Sequence, residues 1–210
     1  MRVAWGGPAG RLEGELSLPD EAEPRALCVV AHPHPLHGGN MHSSVVYRVA
    51  RGMKAAGVAA LRFNFRGVGT SAGTHDGGQG EVDDMRSACD WLAAERPGLP
   101  LWGAGFSFGA RAALMAAGED ERLARALLVA LPVKAFECPG LEELSIPSLV
   151  LQAEDDEFGN QEAVRELYPN LPRGVRTACV RGTDHFFTDR LDALEQLVRE
   201  TAESWLEEYS

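Results

Sequence analysis

The stretch Gly105-Phe106-Ser107-Phe108-Gly109 places a serine in the pattern G-x-S-x-G. The short apolar run LWGA precedes it and the helix-like run ARAALMAAG follows. In that context the pattern has a physical meaning. A strand that turns sharply into a helix holds the serine in a strained conformation with its hydroxyl exposed. The glycines permit the turn, and the helix start directs backbone N–H groups at developing negative charge. A serine hydroxyl is a poor nucleophile at neutral pH unless a base accepts its proton. His185, in GTDHFF, is the one histidine after Ser107 and follows the β-like run Val175 to Val180. Between the two, after the run SLVLQ, stand four consecutive carboxylates, Glu154, Asp155, Asp156 and Glu157. One of them would orient the imidazole, in the chain order serine, acid, histidine.

A second cluster is AHPHPLHGGNMH, which carries four of the six histidines between His32 and His42. His32, His34, His37 and His42 could offer nitrogens to a zinc ion. No cysteine or second histidine cluster elsewhere completes such a set, and Pro33 and Pro35 are expected to hold the segment extended. The loop Arg66-Gly67-Val68-Gly69-Thr70-Ser71 is glycine-rich but lacks the Walker pattern and its lysine. Its Arg66 is expected to pair with Asp83 or Asp84 and fix the surrounding loops. Phe106, Phe108, Phe186 and Phe187 flank the serine and the base and divide between core and an acyl pocket.

These residues need a scaffold that brings distant loops together. Arg2 to Trp5 and Leu12 to Leu18 read as an antiparallel pair around GGPAG. Nearly continuous apolar runs follow at 26–31, 58–63, 101–104, 126–129, 146–151 and 175–180, as in strands covered on both faces of a parallel sheet. Helix-length stretches alternate with them at 43–56, 81–96, 108–117, 161–167 and 191–206. The first is closed by Gly57 and the third by Gly118. The alternation predicts a single α/β domain over residues 1–210, with a mostly parallel twisted sheet of about seven or eight strands and helices on both faces. Active sites of such sheets lie at the carboxyl ends of the strands.

The composition bounds the function. The formal net charge is −11, which argues against nucleic acid and anionic membrane surfaces as partners. The N-terminus lacks an apolar signal core, and no apolar run approaches the roughly 20 residues of a membrane span. Cys28, Cys89, Cys138 and Cys179 are scattered and read as free thiols, with Cys28 and Cys179 buried in β-like runs. A cytoplasmic location is expected. An exposed sheet edge or the last helix is a surface through which a homodimer could form.

The segments HPHPLHGG, LRFNFRGVGTS, GFSFGA, LQAEDDEF and GTDHFF, in this order from about residue 25 to residue 190, resemble the α/β-hydrolase superfamily, in particular its small lidless branch related to dienelactone hydrolase. The resemblance implies an α/β-hydrolase fold and a serine hydrolase that needs no cofactor or metal. Ser107 would attack a small-molecule ester, His185 would serve as base, and Asp156 would match the family's acid. Ala153 stands where a glycine is usual, so Asp155 remains a second candidate. The loop after the first parallel strand would form one side of an oxyanion hole. Proline has no N–H, which leaves His34 or Leu36 as donor, with His34 favoured; the N–H of Phe108 would be the other. Only about 16 residues, Ala130 to Ser145, separate two strands where caps are inserted in this superfamily. No cap domain is therefore expected, and short-chain esters should be preferred. The same triad also serves peptidases and acyltransferases, and a relative without activity would act as an interaction scaffold.

Overall fold

The computed structural model describes residues 1–20 and 22–209. Its described residues form one eight-stranded sheet in the order β1-β2-β4-β3-β5-β6-β7-β8. β1 (Arg2–Gly7) and β2 (Gly10–Ser17) are antiparallel to each other, and β2 is antiparallel to β4 (Val58–Asn64). From β4 through β3 (Ala26–Ala31), β5 (Leu101–Phe106), β6 (Leu123–Val129), β7 (Ser148–Ala153) and β8 (Val175–Val180) all pairings are parallel.

Alternation along each strand divides the core in two. In β3, Leu27, Val29 and Ala31 face one side, packing toward α2 (Gln79–Glu95), α3 (Phe108–Glu119) and α4 (Gln161–Leu167). Ala26, Cys28 and Val30 face the other, toward α1 (Ser44–Ala55) and α5 (Leu191–Glu207). The two core layers explain why the central strands are apolar throughout. α5 shows the complementary pattern: Leu194, Val198, Ala202, Trp205 and Leu206 are buried along one face, and the acidic and basic residues Asp192, Glu195, Arg199, Glu200, Glu203 and Glu207 lie off it. Gly57 ends the turn after α1 at φ 92°, a conformation that favours glycine.

The chain leaves β3 for β4 on one side and then returns to place β5 on the other side of β3. The loops after β3 and β5 therefore diverge, and a crevice opens between them. That crevice receives both the HPHPLHGG loop and Ser107.

Four sequence expectations are corrected here. Pro35–His37 forms a 3-10 turn rather than an extended segment; Pro35 occupies its first position, where its missing N–H costs nothing. β8 is a sheet edge, so only Val175 and Val180 of that strand are fully buried and Cys179 is partly open. β7 starts at Ser148, after Pro147, because Pro147 has no N–H for the ladder. α3 continues through Gly118 to Glu119. The 18 residues from Ala130 to Pro147 contain neither helix nor strand, so no cap domain covers the sheet.

Candidate active site

Ser107 stands between β5 and α3 at φ 56°, ψ −121°. Its carbonyl accepts the N–H groups of Ala110 and Arg111, and its own N–H donates to Val129 O at 2.9 Å. The flanking glycines are required by space. A Cβ on Gly105 would lie 2.1 Å from Gly109 O, and one on Gly109 would lie 2.4 Å from Ala31 O. The turn is thus wedged between its own helix and β3.

The four non-glycine residues with positive φ among those described are Ser107, Ala130, Phe187 and Asp189, at 56°, 48°, 55° and 58°. All four follow the carboxyl ends of β5, β6 and β8. Backbone strain of this kind costs about 1–3 kcal/mol per residue and is held only where the surroundings over-determine it.

The structure brings Ser107, His185 and Asp156 into one hydrogen-bonded chain. Ser107 Oγ lies 2.9 Å from His185 Nε2, and His185 Nδ1 lies 2.8 Å from Asp156 Oδ2. The carboxylate cannot donate, so Nδ1–H donates to it and Nε2 is left to accept the serine proton. Asp156 and His185 are buried, and Asp156 Oδ1 accepts the Phe158 N–H at 2.8 Å. Asp155 is exposed and turned away; its N–H donates to Thr183 O. Asp184 caps its own turn, accepting N–H bonds from Phe186 and Thr188.

The histidine-rich loop divides its imidazoles among separate tasks. His32 is fully buried; its Nδ1 lies 2.6 Å from Pro33 O and its Nε2 accepts the Phe65 N–H at 3.1 Å. Both ring nitrogens are engaged in tying the β3 loop to the β4 loop. Burial pushes this imidazole down to about 4, so it is neutral at pH 7. His34 Nδ1 accepts the Leu36 N–H at 3.2 Å, which removes Leu36 as a donor to anything else. Burial, and then the charges of His37 and His75, hold His34 below the usual histidine range. Gly39 crosses so close that a Cβ would lie 2.1 Å from Pro33 O. The backbone N–H groups of His34 and Phe108 make no hydrogen bond among the described residues.

Around this center the supports are polar and buried. Arg66 pairs with Asp84 through Nη2 at 2.8 Å and Nε at 3.0 Å, and reaches Asp76 at 3.1 Å. Asp83 takes no part, because one helical position earlier it points off that face of α2. Gln152 braces the loops after β6 and β7: its Oε1 accepts the Leu131 N–H at 2.7 Å, and its Nε2 donates to Leu131 O and Gly159 O. Gln152 and the N–H of Phe158 were not singled out from sequence. The run LQAEDDEF held both, but a glutamine at a strand end and a residue two beyond an acid carry no distinctive spacing.

A cavity of about 250 Å³ opens at Ser107 and His185, with walls from Pro33, His34, Phe108, Pro132, Phe136, Phe158 and Phe186. Phe106 and Phe187 belong to the core. Nucleophile, base, orienting carboxylate and unoccupied N–H groups within one apolar hollow are the elements of acyl transfer.

Comparison with known proteins gives the family. A family model described as an alpha/beta hydrolase domain matches residues 24–205, and the chain belongs to that family. It is similar to an alpha-beta serine hydrolase homologue from Coxiella burnetii, with 34% identity over 96% of each chain and a TM-score of 0.90. It is equally similar to a serine hydrolase without lid from Xanthomonas campestris, with 34% identity over 98% of this chain and 94% of that one, and a TM-score of 0.90. An uncharacterized protein of Rickettsia prowazekii is 32% identical over 95% of this chain and 87% of its own length. No described helix is long and apolar enough to cross a membrane.

Proposed function

We propose that the protein, acting as a single domain, hydrolyses carboxylic esters of small acids through a Ser107–His185–Asp156 triad. The observation that carries this reading is the His185 ring, held between Ser107 Oγ at 2.9 Å and Asp156 Oδ2 at 2.8 Å. Ser107 Oγ attacks the ester carbonyl while His185 Nε2 takes its proton. The oxyanion is held by the N–H groups of Phe108 and His34, which are free of other acceptors. His185 then protonates the leaving alcohol, and the same base activates a water that releases the acid. Asp156 holds the imidazole tautomer and stabilises the imidazolium. No step requires a metal or an organic cofactor.

The size of the cavity, about 250 Å³, supports a compact acyl group rather than an extended chain. The test is hydrolysis of p-nitrophenyl acetate, butyrate and octanoate beside Ser107→Ala. Loss of the serine should cost on the order of 10⁴ to 10⁶ in rate on the shorter esters. A marked preference for octanoate would contradict the substrate range. Activity that survives the substitution would contradict the mechanism.

A further inference from the structure

The chain has eight phenylalanines. Five are buried: Phe63, Phe65, Phe106, Phe108 and Phe187. The remaining three, Phe136, Phe158 and Phe186, are 38%, 37% and 58% exposed. All three line the hollow in front of Ser107. Bare rings gathered at one place on a surface mark a binding site rather than chance exposure.

The rings stand in two opposed groups. On the base side, Phe158 meets the His185 ring edge-on at 4.8 Å, and Phe186 meets it at 5.2 Å. On the oxyanion side, Phe136 stacks on His34 at 6.2 Å and stands edge-on to Phe108 at 6.3 Å. Pro33 and Pro132 close the remaining walls. Among the described residues no Asp, Glu, Lys or Arg lines the hollow. It offers ring faces and edges, and its ionisable side chains are the imidazoles of His34, His37 and His185.

We infer that the acyl group of the preferred substrate carries an uncharged aromatic ring, which enters this slot flat. The inference rests on the serine-hydrolase reading above and names the substrate class for that site. An aliphatic acyl group of equal size would gain the same burial of apolar area. An aromatic one gains ring–ring contacts in addition, because edge and face attract. The ester's other arm has a different place to go. Beyond Phe186, a second hollow of about 470 Å³ is bordered by Ser43, Ser44, Thr188 and Asp189. Val45, Phe106 and Leu191 line it as well, and this mixed wall of hydroxyls and apolar side chains leaves room for the alcohol, which departs as a hydroxyl compound toward solvent. The reaction stays a simple hydrolysis, ester and water giving acid and alcohol, and needs no further reactant.

The experiment compares kcat/KM, each divided by the ester's own hydroxide-catalysed rate constant, for ethyl phenylacetate and ethyl cyclohexylacetate, which share one carbon skeleton and differ in ring flatness. Wild-type protein should prefer the phenyl ester about tenfold. In Phe136→Leu and Phe158→Leu the ratio should fall toward one. Because the ratio is taken within one sample, it does not depend on how much of a variant is folded. Equal rates for the two esters in the wild type would overturn the inference. So would a phenyl preference that survives both substitutions. A second pair, benzyl butanoate and cyclohexylmethyl butanoate, carries the ring in the alcohol. A preference confined to that pair would overturn the assignment to the acyl arm. Absence of Ser107-dependent hydrolysis of all four esters would instead defeat the serine-hydrolase reading itself.

Discussion

At the scale of single residues, the site depends on which carboxylate meets the base. Asp156 is buried against His185, and Asp155 is exposed one residue earlier. Asp156→Asn should therefore lower kcat by about 10⁴, since an amide favours the wrong imidazole tautomer. Asp155→Asn should stay within about twofold, a change to a solvated side chain. Steady-state kinetics on one ester decides it, and the reverse ranking would reassign the acid. Sequence narrowed the acid to this run, and the family resemblance selected Asp156 despite Ala153. It could not show that the turn after β7 rotates Asp155 to solvent, because consecutive loop residues have no fixed period. Ser107 tests strain separately from chemistry. At φ 56° it occupies a region that glycine enters freely. Ser107→Gly and Ser107→Ala should both be inactive, with the glycine variant melting above the alanine one. A glycine variant melting below the alanine one, as glycine's greater unfolded-state entropy alone would give, would show that the turn stores no strain.

The elements that carry these residues were legible where periodicity is strong. Runs such as ALCVVA and VRTACV occupy β3 and β8 with the expected ends, because apolar runs bounded by polar residues mark strand limits. The 3-10 turn at Pro35–His37 was hidden by its prolines, which suit an extended segment and a tight turn equally well. The aromatic slot was only partly visible. Phe186 adjoins the base in sequence, whereas Phe136 comes from the loop after β6 and is brought there by the fold alone. The β3 loop makes its own prediction. A side chain at Gly39 would strike Pro33 O, 2.1 Å from an ideal Cβ. Gly39→Ala should displace the His34 N–H and lower kcat/KM on the order of 100-fold. The Ser107 hydroxyl should remain hydrogen-bonded to the base, which a crystal structure of the variant would show. Unchanged kinetics would remove this loop from the oxyanion site.

At the scale of the whole molecule, the strand order creates the crevice and the short β6–β7 connection leaves it open. Apolar patterning and strand–helix alternation indicate this architecture, because both are written in the order of residues along the chain. The coupling of stability to pH did not, because it arises from one buried imidazole. His32 is neutral in the folded protein, with its proton affinity pushed down to about 4 by burial. Below pH of about 6.5 the unfolded chain binds a proton there, and the folded chain does not until about pH 4. Stability therefore falls as pH falls through that window, by about 3 kcal/mol in all. Urea unfolding at pH 7 and pH 4.5 should show the loss in the wild type and a flatter dependence in His32→Gln. An identical slope in both would exclude His32 as the cause. The claim on which the rest depends is that Ser107 is an activated nucleophile. It is tested most directly by treating the folded protein with a fluorophosphonate and locating the adduct by mass spectrometry. A single modified residue is expected, Ser107, with labelling lost in His185→Ala. A protein that remains unlabelled, or that is labelled elsewhere while Ser107 stays free, would contradict it.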